Sequence, residues 1–146
     1  MGDHMPLLDQ AAKLATKNMP KVIRPRAHAM LDYAIATSFF VAAAFFWRRN
    51  RRAAIGALAC GAAETVSALC TDYPGGVADK ISYETHGSLQ IALSGAMASL
   101  PEILHFSDEP EATFFRVQGV AMATVVGLTD FSSKRERLSE ELEQSA

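Results

Sequence analysis

The sequence predicts an all-α fold, a four-helix transmembrane bundle built from two repeated helical hairpins. Four apolar segments of about 20 residues are separated by charged stretches, and at a rise of 1.5 Å per residue each can cross a hydrocarbon core about 30 Å thick. In addition, polar residues within these segments recur at a spacing of 58 residues. The apolar segments are residues 27–47, 53–71, 86–106 and 112–131.

The apolar segments favour helices that lie in a membrane. They are too long and too rich in alanine for strands and lack period-two alternation. A soluble bundle needs a polar stripe on every helix, and residues 38–47 and 120–128 offer no such stripe. A water-soluble oligomeric bundle is the alternative. Small residues spaced four apart favour close packing of membrane helices. These are Gly56 with Cys60, Ala57 with Gly61, Gly95 with Ser99, and Gly119 with Ala123 and Gly127.

The predicted organisation is a bundle between two tails. Its parts are an N-terminal tail over 1–26, a four-helix bundle over 27–131 with repeats 27–73 and 85–131, and a polar C-terminal tail over 132–146. The first tail includes a short amphipathic helix over 7–17, and residues 1–4 are expected to derive from a cloning vector. A formal net charge of −2 argues against nucleic-acid binding. The expected partners are the lipid bilayer and either another membrane protein or a second copy of this chain.

The basic residues predict the orientation of the chain. With four spans, both termini and the 72–85 loop share one side of the membrane, and nine of the 14 lysines and arginines lie there. The positive-inside rule then places both termini in the cytoplasm, with the chain as a multi-pass protein of the cytoplasmic membrane. The opposite side carries the densest basic cluster, residues 48–52, which suits lipid phosphates.

The repeat places the same polar residues at equivalent positions of both halves. His28 corresponds to His86 and Asp72 to Asp130, each pair 58 residues apart. Each hairpin therefore has a histidine where its first helix begins and a Thr-Asp pair where its second helix ends. Because these two ends adjoin in an antiparallel hairpin, we expect His28 to approach Asp72 and His86 to approach Asp130.

Further polar residues fall on the same helix faces. Asp32 lies four residues after His28, and Gln90 lies four residues after His86. Glu64 lies two turns before the end of its helix and extends the set toward the centre of the bundle. We expect one polar cluster near a membrane face. Its predicted members are His28, Asp32, Glu64, Asp72, His86, Gln90 and Asp130.

Three roles fit this predicted cluster. It is a structural clasp if each His–Asp pair ties a hairpin together. It is a proton or solute relay if Glu64, Asp32 and Asp72 pass protons along the bundle. It is a metal or haem site if both histidines and both aspartates act as ligands, since these groups suit zinc, iron or manganese, and two histidines can ligate a haem. Those ligands would be His28, Asp72, His86 and Asp130.

Motifs for enzymatic chemistry are missing from the sequence. It has no nucleophile elbow, no Walker sequence and no His-Glu-x-x-His motif of the kind that zinc metalloproteases use. The leading prediction is therefore a small membrane protein of unassigned activity, a non-enzymatic binding or structural module without a cofactor. The alternative is a metal- or haem-binding membrane protein, a redox or metal-dependent enzyme, that uses the same polar residues.

Two local motifs carry a family resemblance. The second half has His86-Gly-Ser-Leu-Gln90, then Ser99-Leu100-Pro101 and Phe106-Ser-Asp108, and the first half follows the same plan from His28-Ala-Met-Leu-Asp32 to 71–73. This pattern resembles the SPW-repeat family of small bacterial membrane proteins, with a His-x-x-x-Asp start, a Ser-Pro-Trp and a turn with Phe and an acid. The Trp of that motif is missing here, and Gln90 stands where the family has Asp. The resemblance implies a four-span bundle of paired hairpins in the bacterial inner membrane and no specific activity.

Overall fold

Four helices in two hairpins make up the fold. The computed structural model describes residues 19–132 together with 142, 143 and 145. The helices are α1 Pro25–Phe46, α2 Arg51–Cys70, α3 Tyr83–Ile103 and α4 Glu111–Leu128. Each packs mainly against its neighbour in the chain, α1 against α2 and α3 against α4, which confirms the all-α fold of two hairpins. The helix predicted over 7–17 and most of the tail over 132–146 lie outside the described residues.

Local sequence explains where the helices begin. Pro25 starts α1, because its fixed φ suits the first helical turn and its missing N–H has no partner to lose there. Asn50 caps α2 by accepting a hydrogen bond from the backbone N–H of Ala53 at 3.1 Å. Ser82 caps α3 in the same way, from the N–H of Thr85 at 3.2 Å. Pro25 and Ser82 thus define the first turns of α1 and α3, which carry the two histidines predicted for the polar cluster.

Two backbone bridges at one end of the bundle repeat at the 58-residue spacing. Thr71, after α2, pairs with Ile81 just before α3, and Thr129, after α4, pairs with Ile23 just before α1. The residue that follows each threonine donates its N–H to the carbonyl of that isoleucine, at 2.9 and 3.1 Å. The end of each hairpin is thereby tied to the segment that leads into the other hairpin. The sequence repeat thus appears as two equivalent junctions.

The opposite half of the bundle is filled by apolar side chains. Phe39, Met97 and Phe115 are all fully buried there. The rings of Phe39 and Phe115 lie with their centroids 5.9 Å apart across the two hairpins. This apolar core closes the bundle on the side away from the junctions.

Length and composition suit a membrane span in two of the four predicted spans. Within the described residues, α1 and α2 are the helices long and apolar enough to cross a membrane. The helices α3 and α4 do not meet the same standard of length and hydropathy.

Close helix packing depends on Gly119 of α4. A Cβ atom at this position would lie 2.6 Å from the carbonyl oxygen of Ser94 and 3.0 Å from the Cβ of Ala98, both on α3. Gly95 of α3 differs, because a Cβ there meets no atom within 4 Å. The packing role predicted for small residues is therefore confirmed for Gly119, whereas Gly95 faces open space within the described part of the chain.

Gly119→Ala is expected to lower the free energy of unfolding by about 1–3 kcal/mol, because α4 must move away from the α3 backbone. Gly95→Ala is the matched control on the facing helix. It should leave stability unchanged or raise it by up to about 1 kcal/mol, since alanine favours helix over glycine. Thermal unfolding followed by circular dichroism measures both, and equal destabilisation by the two variants would contradict the assigned packing.

Candidate functional site

A cluster of buried polar side chains lies at the end of the bundle that carries the two junctions. The first two turns of α1 and α3, the last two turns of α2 and the residues after α2 and α4 all contribute to it. Every member is at most 8 % exposed. The buried polar cluster consists of His28, Asp32, Glu64, Ser67, Thr71, Tyr73, His86, Gln90 and Thr129.

Asp32 occupies the centre of the buried polar cluster. The Nε2 atom of His86 lies 3.1 Å from its Oδ2, and the Nε2 atom of His28 lies 3.4 Å from its Oδ1. The Tyr73 hydroxyl donates to Oδ2 and the Gln90 amide donates to Oδ1, both at 2.7 Å. Burial, followed by the nearby Asp32 charge, raises the pKa of the Tyr73 hydroxyl, so this group remains a donor. One carboxylate therefore connects α1, α3 and the turn after α2.

Gln90 links two carboxylates. Its Nε2 donates to Asp32 at 2.7 Å and to Oε1 of Glu64 at 2.8 Å, which uses both hydrogens of the amide. The remaining atoms, Gln90 Oε1 and Glu64 Oε2, are buried without a hydrogen-bond partner among the described residues. No lysine or arginine of the described ranges forms an ion pair with either carboxylate. The centre of the cluster thus contains buried polar atoms whose hydrogen-bonding capacity is not used within the described part of the chain.

Each histidine is held by a threonine of the other hairpin. The Nδ1 atom of His28 lies 2.8 Å from Oγ1 of Thr129, and the Nδ1 atom of His86 lies 2.8 Å from Oγ1 of Thr71. Ser67 adds a second contact to His86 Nδ1, at 3.1 Å. The start of each hairpin is therefore bonded to the end of the other, and the two His–Thr bonds are equivalent in the repeat.

The structure brings together five of the seven residues that the sequence predicts for one cluster, and leaves two outside it. Asp72 is exposed and Asp130 is half-buried. The expected approach of His28 to Asp72, and of His86 to Asp130, is replaced in each case by a bond to a threonine of the other hairpin. The five residues that meet are His28, Asp32, Glu64, His86 and Gln90.

Backbone conformation at the helix ends explains this difference. The backbone at Thr71 is extended, with φ −88° and ψ 138°, and the backbone at Thr129 is nearly identical, with φ −89° and ψ 137°. Side chains alternate in direction along extended backbone, so Thr71 and Tyr73 turn inward while Asp72 turns outward. The two threonines could have been predicted from the sequence, because the Thr-Asp pair occurs in both halves. Ser67 could not have been predicted in this way, because it has no equivalent in the second half.

The fold and the cluster define the chain as an all-α protein of two repeated hairpins with a buried histidine–carboxylate site. No protein-family model matches it. The curated proteins and the solved structures likewise give no significant match. The resemblance to the SPW-repeat family rests on the motif residues alone and stays a prediction.

Thr129→Val is expected to lower the free energy of unfolding by about 1–3 kcal/mol, because the buried Nδ1 of His28 then loses its hydrogen-bond partner. Thr71→Val should cost less, because Ser67 still contacts the Nδ1 of His86 at 3.1 Å. Thr65→Val is the control, since the Thr65 hydroxyl makes the same kind of bond to the carbonyl of Gly61, at 2.7 Å, and contacts no histidine. Thermal unfolding compares the three variants. Equal losses in all three would show that the His–Thr bonds do not hold the hairpins together.

Proposed function

We propose that this chain is an integral membrane protein with four spans and a non-enzymatic role, as a structural or binding module whose buried polar cluster joins its two hairpins. The observation that supports this most is the apolar outer surface of all four helices. Phe45 on α1, Ile55 on α2, Ile103 on α3 and Val120 on α4 are each more than half exposed. A bilayer covers such side chains without cost, whereas water does not.

Burial inside the chain does not account for the apolar helices. A core helix of a soluble protein is apolar because it is mostly buried, but the apolar windows of α1 and α2 are only 33% and 50% buried here. The rest of each surface needs an apolar environment. The proposed partner is therefore the lipid bilayer. The alternative is that a second copy of the chain packs against the exposed apolar surface.

Residues at the far end of the bundle suit a membrane–water interface. Trp47 ends α1, and the guanidinium of Arg51 lies 4.8 Å from the centre of its ring. Arg49 lies 3.8 Å from a carboxylate oxygen of Glu111 across the two hairpins. Aromatic and basic residues of this kind anchor helix ends at the headgroup level. The proposed orientation has both termini in the cytoplasm of a bacterial cell, and the buried polar cluster near that face.

The contacts favour a clasp over a relay or a haem site. A relay needs a polar path through the bundle, but Phe39, Met97 and Phe115 fill the far half. A haem held by both histidines needs room for its ring between them, but the carboxylate of Asp32 lies there. A metal ion is the second candidate, because ligand atoms of two histidines and Asp32 lie within 4.8 Å of one another.

Val120→Lys tests the proposed spans. Val120 lies in the middle of α4 with its side chain exposed, so a lysine there would place a charge at membrane depth at a cost of about 3 kcal/mol. The amount of protein that resists an alkaline carbonate wash of the membranes should fall. Val77→Lys is the control, because this exposed valine lies in the turn after α2 and outside every proposed span.

Two outcomes would contradict the proposed membrane spans. If the membranes retain equal amounts of the Val120→Lys and Val77→Lys variants after the wash, the side chain of Val120 does not face lipid. If the untagged wild-type chain is monodisperse in buffer without detergent, the four-span proposal fails as a whole.

A further inference from the structure

The two threonines determine which nitrogen of each histidine carries the hydrogen. The hydroxyls of Thr71 and Thr129 each donate to the carbonyl four residues earlier, at 2.7 and 2.6 Å. A hydroxyl has one hydrogen, so the same oxygen can only accept from the histidine Nδ1 that lies 2.8 Å away. Both His28 and His86 therefore carry a hydrogen on Nδ1. In the neutral ring, the lone pair is then on Nε2.

Both Nε2 atoms point to one carboxylate. They lie 3.1 and 3.4 Å from the oxygens of Asp32, and ligand atoms of His28, Asp32 and His86 all lie within 4.8 Å of one another. Two lone pairs and a carboxylate repel each other in so small a buried space unless a proton or a metal cation lies among them. Tyr73 and Gln90 hold the carboxylate in place, as outer-shell hydrogen bonds do for metal ligands.

Charge and unpaired atoms point to the same chemistry. Asp32 and Glu64 are both fully buried, and no lysine or arginine within the described ranges is paired with them. Three atoms of this region lack a hydrogen-bond partner among the described residues, namely His28 Nε2, Glu64 Oε2 and Gln90 Oε1. With hydrogens on Nδ1 and on the Gln90 amide nitrogen, His28 Nε2 and Gln90 Oε1 are both acceptors. A divalent cation supplies positive charge beside the Asp32 carboxylate, where no lysine or arginine of the described ranges does.

We infer that the buried polar cluster binds one divalent transition-metal ion through Nε2 of His28, Nε2 of His86 and the carboxylate of Asp32. Two imidazoles and one carboxylate suit zinc or ferrous iron, whereas magnesium and calcium prefer oxygen ligands alone. The threonines fix the tautomer that ligation needs. The site requires no membrane around the helices, so it holds or fails independently of the four-span proposal.

The test begins with the full chain, stripped of metal with a chelator and titrated with cobalt(II) chloride. Cobalt bound to nitrogen and oxygen ligands gives a visible absorption spectrum, and mass spectrometry of the zinc-loaded protein gives the stoichiometry. We expect one metal ion per chain. Zinc should raise the melting temperature of the stripped protein, and magnesium at the same concentration should not.

His86→Asn is the discriminating variant. The asparagine amide keeps an N–H donor near the position of Nδ1, so the bond to Thr71 is retained while the Nε2 ligand is removed. Zinc affinity is expected to fall at least about tenfold, and Asp32→Asn should lower it in the same way. The control is His105→Asn, which replaces an exposed histidine at the other end of the bundle. Asparagine tolerates the positive φ of 56° at that position.

Two results would overturn the inference. The first is a stripped wild-type chain that takes up neither cobalt nor zinc and whose melting temperature zinc does not change. The cluster would then be a clasp in which protons alone separate the acceptors. The second is a loss of zinc binding in His105→Asn with full binding in His86→Asn, because the metal would then lie at the surface.

Discussion

The burial of two carboxylates in an apolar bundle is the constraint on which the other polar contacts depend. A carboxylate removed from water is costly unless donors or a cation replace the lost hydration. Asp32 receives a hydrogen bond on each oxygen, from Tyr73 and from Gln90, and Gln90 also donates to Glu64. These directional bonds fix the start of α3 and the turn after α2 relative to α1. The opposite half of the bundle packs through apolar contacts, which are less directional.

The repeat explains why this network joins the two hairpins. The His–Thr bond occurs twice because both halves have a histidine at the start, a threonine at the end and the same extended backbone at that threonine. Other positions differ between the halves, since Asp32 corresponds to Gln90 and Glu64 to Met122. An acid at position 90 would place a third carboxylate beside the first two. The amide of Gln90 instead donates a hydrogen bond to both existing carboxyl groups.

The sequence predicted the helices and most of the cluster, and what it missed has a physical cause. Hydrophobic segment length located four helices, and the spacing between His28 and Asp32 and between His86 and Gln90 placed these residues on shared faces. Periodicity predicts which residues share a face of a helix, but it does not predict which hairpin packs against that face. The hydrogen bonds between the hairpins were therefore not predicted. The outward turn of Asp72 depends on backbone angles after the helix end, which residue type alone does not determine.

The clasp and the inferred metal site rest on the same two bonds. The hydrogen bonds from Nδ1 to the threonines join the hairpins, and they also leave both Nε2 atoms free to ligate. Because α1 supplies His28 and Asp32 while α3 supplies His86, all three ligands meet only when the hairpins are docked. A cation that binds the docked state alone stabilises it by mass action. Metal loading and hairpin docking are then one coupled equilibrium, in which the threonines contribute to both terms.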